Sequence, residues 1–320
     1  MNAPFNPTHI QPSIIQNTES MDFAAAACDF QNESFIDNAH AHIAQLPEAV
    51  RQAIADFHKK PHKSGALLIK GLPVGQLPDT PVTPTTPTAK DCTSELTLLT
   101  IAKTLGEPIG YEPELGGRII QNILPTKTAS TRQVSTSSNV SLMFHTEAAF
   151  HPHRPASLLL LCLKGDPAAS TTLASIREVL PLLSSAAVET LFQARFRTAV
   201  DESYLHGREN TLGEPVPVLS GELDCPSMVF DADLMVGMDD AAQSALAELS
   251  RAVATCHTSV CLESGDLLIV DNAVAVHGRS PFTPRFDGTD RWLQRTFVVA
   301  DLTASAKERV GRVISTEFGL

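Results

Sequence analysis

Three short constellations in this chain place reactive side chains at fixed spacings. The first is Asn139-Val-Ser-Leu-Met-Phe-His145-Thr-Glu147-Ala-Ala-Phe-His151. Its alternating residues read as a β-strand, and side chains two apart on a strand share a face. His145 and Glu147 then aim a neutral imidazole and a carboxylate the same way. They would supply two ligands of a 2-His-1-carboxylate triad, which grips one face of Fe(II) and leaves other positions open for chemistry. A lone His-x-Glu also arises by chance at solvated strand ends, so a third ligand must come from elsewhere.

The second constellation is Asp266-Leu-Leu-Ile-Val-Asp271-Asn-Ala-Val-Ala-Val-His277-Gly-Arg-Ser280. It reads as a strand, a turn at Asp271-Asn272, and a strand ending in His277. Alone, His277 is more simply a satisfied structural histidine; its value is as the missing ligand on another strand. Gly278 either admits a close backbone or simply turns the chain. The third is Arg291-Trp-Leu-Gln-Arg295-Thr-Phe-Val-Val-Ala300, where a strand would align Arg291, Leu293, Arg295 and Phe297 on one face. A buried guanidinium needs an anionic partner, and arginine grips carboxylates bidentately. The pair implies either carboxylates brought by ligands or internal salt bridges.

These residues need a scaffold, and the rest of the chain suggests a mostly β one. Residues 1–20 are polar and read as a loose N-terminal arm, followed by a single domain over 21–320. Apolar residues at helical intervals predict a helix over 34–58, broken near Pro47, and another over 96–105 closed by Gly106. Residues 74–93 are rich in Pro and Thr and form a long surface loop. Short strands are expected at 66–69, 118–124, 157–163, 171–173, 216–219, 227–233 and 267–270, with helices at 175–183, 187–194 and 239–255. The polar loop 125–138 runs into the His145 strand, as a lid or as plain solvent-facing loop. Many short strands with helices towards the front predict a mainly β, α+β fold: a jelly roll (double-stranded β-helix) wrapped by helices.

Composition narrows the partners. A formal charge of −12 disfavours nucleic acid and anionic membranes, which are bound through Lys/Arg excess. Cys28, Cys92, Cys162, Cys225, Cys256 and Cys261 form no C-x-x-C pair and suggest reduced thiols in a cytoplasmic setting. No secretory signal or membrane-spanning run is visible.

His145-Thr-Glu147, Val276-His-Gly-Arg-Ser-Pro-Phe282 and Pro284-Arg-Phe-Asp-Gly-Thr-Asp-Arg291-Trp-Leu-Gln-Arg295 together resemble the clavaminate synthase-like Fe(II)/2-oxoglutarate oxygenases. The branch resembled most hydroxylates free amino acids such as lysine, arginine and asparagine. Leu67-Leu-Ile-Lys-Gly-Leu-Pro73, Leu105-Gly-Glu-Pro-Ile-Gly-Tyr111, Leu163-Lys-Gly-Asp-Pro167, Asp201-Glu-Ser-Tyr204 and Val229-Phe-Asp-Ala-Asp-Leu-Met235 extend the likeness from about residue 60 to the end. The resemblance implies a jelly-roll core with His145, Glu147 and His277 as iron ligands. It implies that Arg291 and Thr172 hold the far carboxylate of 2-oxoglutarate and that Arg295 holds the substrate's α-carboxylate.

With O₂, such an enzyme would release succinate and CO₂ and hydroxylate a free L-amino acid. Asp231 and Asp233, on one face of the expected strand, imply a basic substrate (lysine, arginine or ornithine) oxidised at C3 or C4. Asp-x-Asp is also a common way to open a turn. Gln121 is either a further substrate contact or a structural amide, Glu147 also faces the substrate, and Ser135 to Asn139 would close over it. The same chemistry on a neutral amino acid, a desaturation or cyclisation, and a non-catalytic metal- or acid-binding jelly roll are the alternatives.

Overall fold

The computed structural model describes residues 11–19, 21, 32–59, 62–205 and 207–319. Its strands begin with β1 (Ser13–Gln16), β2 (Ala66–Lys70), β3 (Glu107–Tyr111), β4 (Gln121–Ile123), β5 (Leu142–His145) and β6 (Ser157–Lys164). They continue as β7 (Ser170–Ser175), β8 (Phe196–Thr198), β9 (Leu219–Glu222), β10 (Cys225–Met228), β11 (Met235–Gly237) and β12 (Thr258–Cys261). Last come β13 (Leu267–Asp271), β14 (Ala275–Arg279), β15 (Trp292–Val299), β16 (Arg309–Val310) and β17 (Val313–Ile314). The α-helices are α1 (Glu33–Ala39), α2 (Glu48–Lys59), α3 (Thr93–Leu105), α4 (Ile176–Val179), α5 (Ser185–Leu191) and α6 (Asp240–Cys256).

A nine-stranded sheet runs β1-β2-β13-β6-β15-β3-β17-β16, with β4 also against β15; a four-stranded sheet runs β12-β7-β14-β5. The nearly continuous apolar runs of β6 and β13 become central strands because both faces of the large sheet are covered. Leu159, Leu161, Leu267 and Ile269 pack on one side with Ile54, Leu98 and Leu99 of the helices. Leu158, Leu160, Leu268, Leu293 and Phe297 pack on the other with Leu173, Val260 and Ala275 of the small sheet. The outer face of the small sheet, through Ala174 and Val276, is buried with Leu246, Leu249 and Val253 of α6. Burial of each Leu, Ile, Val or Phe among these side chains contributes about 1.5–3 kcal/mol, so these layers hold the sheets face to face.

Several expectations need correction. Residues 13–16 are not part of a loose arm: they pair in parallel with β2, Ser13 opposite Leu67. Residues 1–10 and 20 of that arm lie outside the described residues. The strand expected at 118–124 shortens to β4, and that at 227–233 gives way to β10, shifted towards the N-terminus. Asp231 opens a turn there, its Oδ1 accepting from the backbone N–H groups of Asp233 (2.9 Å) and Leu234 (2.8 Å). The helix over 34–58 breaks before Glu48, as Pro47 requires, and Asp239 caps α6 by accepting from Ala242 N. The loop 74–93 is irregular but fixed: Thr80 N donates to Gly288 O at 2.8 Å and its Oγ1 to Asp290 O at 2.6 Å, beside the start of β15. Cys162, Cys225, Cys256 and Cys261 are free, whereas Cys92 is disulfide-bonded, against the expectation of reduced thiols; Cys28 lies outside the described residues. Among the described residues no helix is long and apolar enough to cross a membrane.

Candidate active site

The small sheet brings the candidate metal ligands together through its register. On β14 and β5, His277 stands directly opposite His145, with ring centroids 4.3 Å apart. Gly278 makes the pairing possible, because a Cβ there would lie 2.5 Å from Leu142 O. Strand β5 ends at His145, so Glu147 sits in the following turn rather than on the strand. Asn272 holds that turn: its Oδ1 accepts from Glu147 N at 2.8 Å and its Nδ2 donates to Glu147 O at 3.1 Å. Ligand atoms of His145, Glu147 and His277 all lie within 4.8 Å of one another.

These three residues fit a divalent metal. Glu147 Oε2 is buried without a hydrogen-bond partner, 3.4 Å from His277 Nε2 and 4.0 Å from His145 Nε2. His145 Nδ1 donates to Met143 O at 2.8 Å, which leaves its Nε2 free to ligate. Burial would push the Glu147 carboxyl up, but Arg295 and His277 together hold it down at about 2. Burial, with His145 alongside, lowers His277 to about 4. At neutral pH the set is therefore an anionic carboxylate and a neutral His277, the forms that bind metal.

The two arginines differ. Arg291 is buried, its Nη2 donating only to Thr171 Oγ1 at 3.4 Å, and among the described residues no carboxylate lies within ion-pair distance. Thr172, the residue expected beside Arg291, is placed elsewhere. Along β7 alternate residues face opposite ways, so Thr171 faces the cavity while Thr172 lies opposite Gly278 on the outer face. Arg295, also buried, is surrounded by partners: Nε donates to Gln121 Oε1 at 2.9 Å, Nη1 lies 3.4 Å from Glu147 Oε1, and Nη2 pairs with Glu114.

A cavity of about 290 Å³ joins the triad, Arg291 and Arg295 to Asp231 and Asp233. Asp231 is buried, which raises its carboxyl despite His145 and its two backbone donors, whereas Asp233 is exposed. Neither is on the strand expected to present them. Gln121 is fully buried, with Oε1 committed to Arg295 and Nε2 without a partner. The loop 125–138 does lie at the cavity, lining it from Ala129 and from residues 132–136, with Arg132 paired to Glu202 at 2.7 Å. Sequence reasoning missed Glu114, Thr171, Asn272 and Arg279. Only Thr171 carried a signal, as the cavity-facing alternate of the residue chosen.

Residues 36–297 match the family model of the taurine catabolism dioxygenase TauD, TfdA family. The chain belongs to that family. The L-lysine 3-hydroxylase of Catenulispora acidiphila is 40% identical to this TauD-family chain over 304 residues, spanning 93% of it and 85% of the relative. Asparagine oxygenase, solved with Fe(II), 2S,3S-3-hydroxyasparagine and succinate, matches at TM-score 0.84 and 36% identity, over 90% of this chain and 91% of its own. The non-heme iron oxygenase OrfP, solved with Fe and alpha-ketoglutaric acid, matches at TM-score 0.82 and 31% identity, over 91% of this chain and 94% of its own. The TauD-family fold of this chain is therefore mostly β with flanking helices, as the expected class required.

Proposed function

We propose that this TauD-family enzyme hydroxylates a free L-amino acid, consuming 2-oxoglutarate and O₂ and releasing succinate and CO₂. One observation carries the reading: buried Arg291, without a carboxylate partner among the described residues, shares a cavity with a His145–Glu147–His277 cluster whose Glu147 Oε2 is likewise unpaired among them. An unpaired buried cation is costly, and the far carboxylate of 2-oxoglutarate would relieve it. His145, Glu147 and His277 would hold Fe(II), which would supply the oxygen activation and C–H oxidation chemistry. The residues do the rest by holding and orienting. Arg291 and Thr171 fix the cosubstrate at its far end. Arg295, pre-aligned by Gln121, takes the α-carboxylate of the amino acid, and Glu114 and Glu147 beside it suit the α-ammonium. Thr146 locks the ligand turn to the Asp231 segment, its N–H donating to Phe230 O at 2.7 Å. We read this as a single domain with a double-stranded β-helix core, the two facing sheets supporting that reading. A cytoplasmic setting is part of the proposal; four free cysteines support it and the bonded Cys92 counts against it.

For the substrate, we favour a basic amino acid oxidised at C3 or C4, since Asp231 keeps one carboxylate oxygen for a cation at the acidic end of the cavity. A neutral side chain is the second reading, favoured by the commitment of Asp231 Oδ1 to its turn and by the exposure of Asp233. The test is anaerobic loading with Fe(II) and 2-oxoglutarate, then O₂ with each common amino acid, reading succinate and product mass. Lysine, arginine or ornithine should release succinate with a gain of one oxygen. Asparagine as the best substrate would establish the second reading. Product mass also separates hydroxylation from desaturation or cyclisation, and succinate independent of any amino acid would overturn both readings.

A further inference from the structure

Arg279 lies two residues beyond His277 on the same face of β14 and is buried. Its two Nη groups donate to neutral oxygens, three of them in loop 137–140 and one its chain neighbour Ser280, while its Nε is buried with no partner among the described residues. Nη2 donates to Ser137 Oγ at 2.7 Å and to Val140 O at 3.2 Å, and Nη1 donates to Ser138 O at 3.2 Å and to Ser280 O at 2.9 Å. Among the described residues no carboxylate lies within ion-pair distance of it. Phe282 lies beneath the guanidinium, 5.1 Å from ring centroid to Cζ, and its N–H donates to Ser138 O at 2.8 Å. The loop so fastened continues into β5 and folds back on it through Gln133, which donates to Ser141 O at 2.9 Å and accepts from Met143 N at 3.0 Å. Across the sheet, Arg279 stands opposite Thr171, the residue that also touches Arg291.

From this arrangement we propose that Arg279 is a positioning residue: it fastens loop 137–140 to the strand of the metal histidine and links that fastening to an anion held at Arg291. The inference rests on the cosubstrate reading above. Arg279 stands opposite Thr171 and Arg291 donates to it, so the two guanidiniums repel each other, and a carboxylate held at Arg291 would offset that repulsion. Arg279 then holds its four acceptors more firmly, so the loop lining the amino-acid cavity tightens once 2-oxoglutarate is in place. A lysine could not do the same, because one ammonium cannot span four acceptors arranged around a planar fork.

The test is hydrogen exchange over residues 130–141 in anaerobic Fe(II)-loaded protein, with and without 2-oxoglutarate, in the unaltered chain, Arg279→Lys, Arg279→Gln and Ser137→Ala. Calorimetry follows 2-oxoglutarate binding, and turnover gives KM and kcat for the amino acid. In the unaltered chain 2-oxoglutarate should slow exchange of this segment by at least about tenfold. Arg279→Gln should abolish the slowing while still binding 2-oxoglutarate, and should raise the amino-acid KM more than it lowers kcat. Arg279→Lys should restore part of the slowing. Ser137→Ala, which spares the core, should reduce it. Equal slowing in Arg279→Gln and Ser137→Ala would overturn the inference while leaving the function standing. Failure of the unaltered chain to bind 2-oxoglutarate would overturn the functional reading and this inference with it.

Discussion

At the scale of single residues, the arginines carry opposite electrostatic problems, and this predicts distinct phenotypes. Arg291 has no carboxylate partner among the described residues, so Arg291→Ala should mainly raise the KM for 2-oxoglutarate. Arg295 already has carboxylates around it, so Arg295→Ala should mainly weaken the amino acid and uncouple succinate from product. Losing one charge-assisted pair costs about 1.5–3 kcal/mol, or roughly ten- to a hundredfold, well within reach of steady-state kinetics. Loss of only amino-acid affinity in both variants would assign the roles differently. The neighbouring threonines sharpen the test. Thr171→Val should raise the 2-oxoglutarate KM several-fold, whereas Thr172→Val, on the outer face of β7, should leave it nearly unchanged; the reverse result would restore Thr172 to the site.

Pairing of β14 with β5 sets the distance between the two candidate metal histidines, and Gly278 sits where any side chain would strike the backbone of β5. In Gly278→Ala the new Cβ would meet Leu142 O at 2.5 Å, so the strands must separate. Overpacking of this kind costs about 1–3 kcal/mol. Metal affinity should fall more than stability, because a small displacement of His145 from His277 spoils a site that three ligands must complete together. Metal titration and thermal unfolding of the same variant separate the two effects; unchanged metal affinity would show that the strands have room to spare. The second element-scale feature is the turn opened by Asp231. It replaces the expected strand because an aspartate that accepts from the N–H groups two and three residues on favours a turn over a ladder.

For the molecule as a whole, burial of imidazoles in the metal-free state makes stability depend on pH. Burial holds His277 at about 4 and His151 at about 3, below the ordinary 6.5. A depressed imidazole contributes stability that is full above its ordinary value and lost as pH falls towards the folded value. Urea unfolding of the metal-free protein should therefore show stability falling between pH 6.5 and 4, on the order of 3 kcal/mol for His277. Glu147, held at about 2, adds a loss of the same sign only below the ordinary carboxylate range, from 4.5 downward. A flat profile from pH 6.5 to 4 would mean that these imidazoles protonate freely in the fold.

The sequence by itself determined which residue types the site would use and roughly which strands would carry them. His145, Glu147, His277, Arg291 and Arg295 stand in motifs whose spacing and residue chemistry are local properties, and the apolar runs of β6 and β13 announce burial on both faces wherever they pack. Tertiary structure decided the rest, for reasons of register and competition. Alternation predicts that adjacent threonines face opposite ways, but only the pairing of β7 with β14 decides that Thr171 faces inward. Glu114 carries no motif; it becomes a partner of Arg295 because β3 and β4 both pair with β15, bringing the turn after β3 to the cavity. Arg279 reads in sequence as one more basic residue after a histidine. Its role depends on a loop more than a hundred residues away supplying three of its four oxygen acceptors, a long-range arrangement that no local pattern encodes.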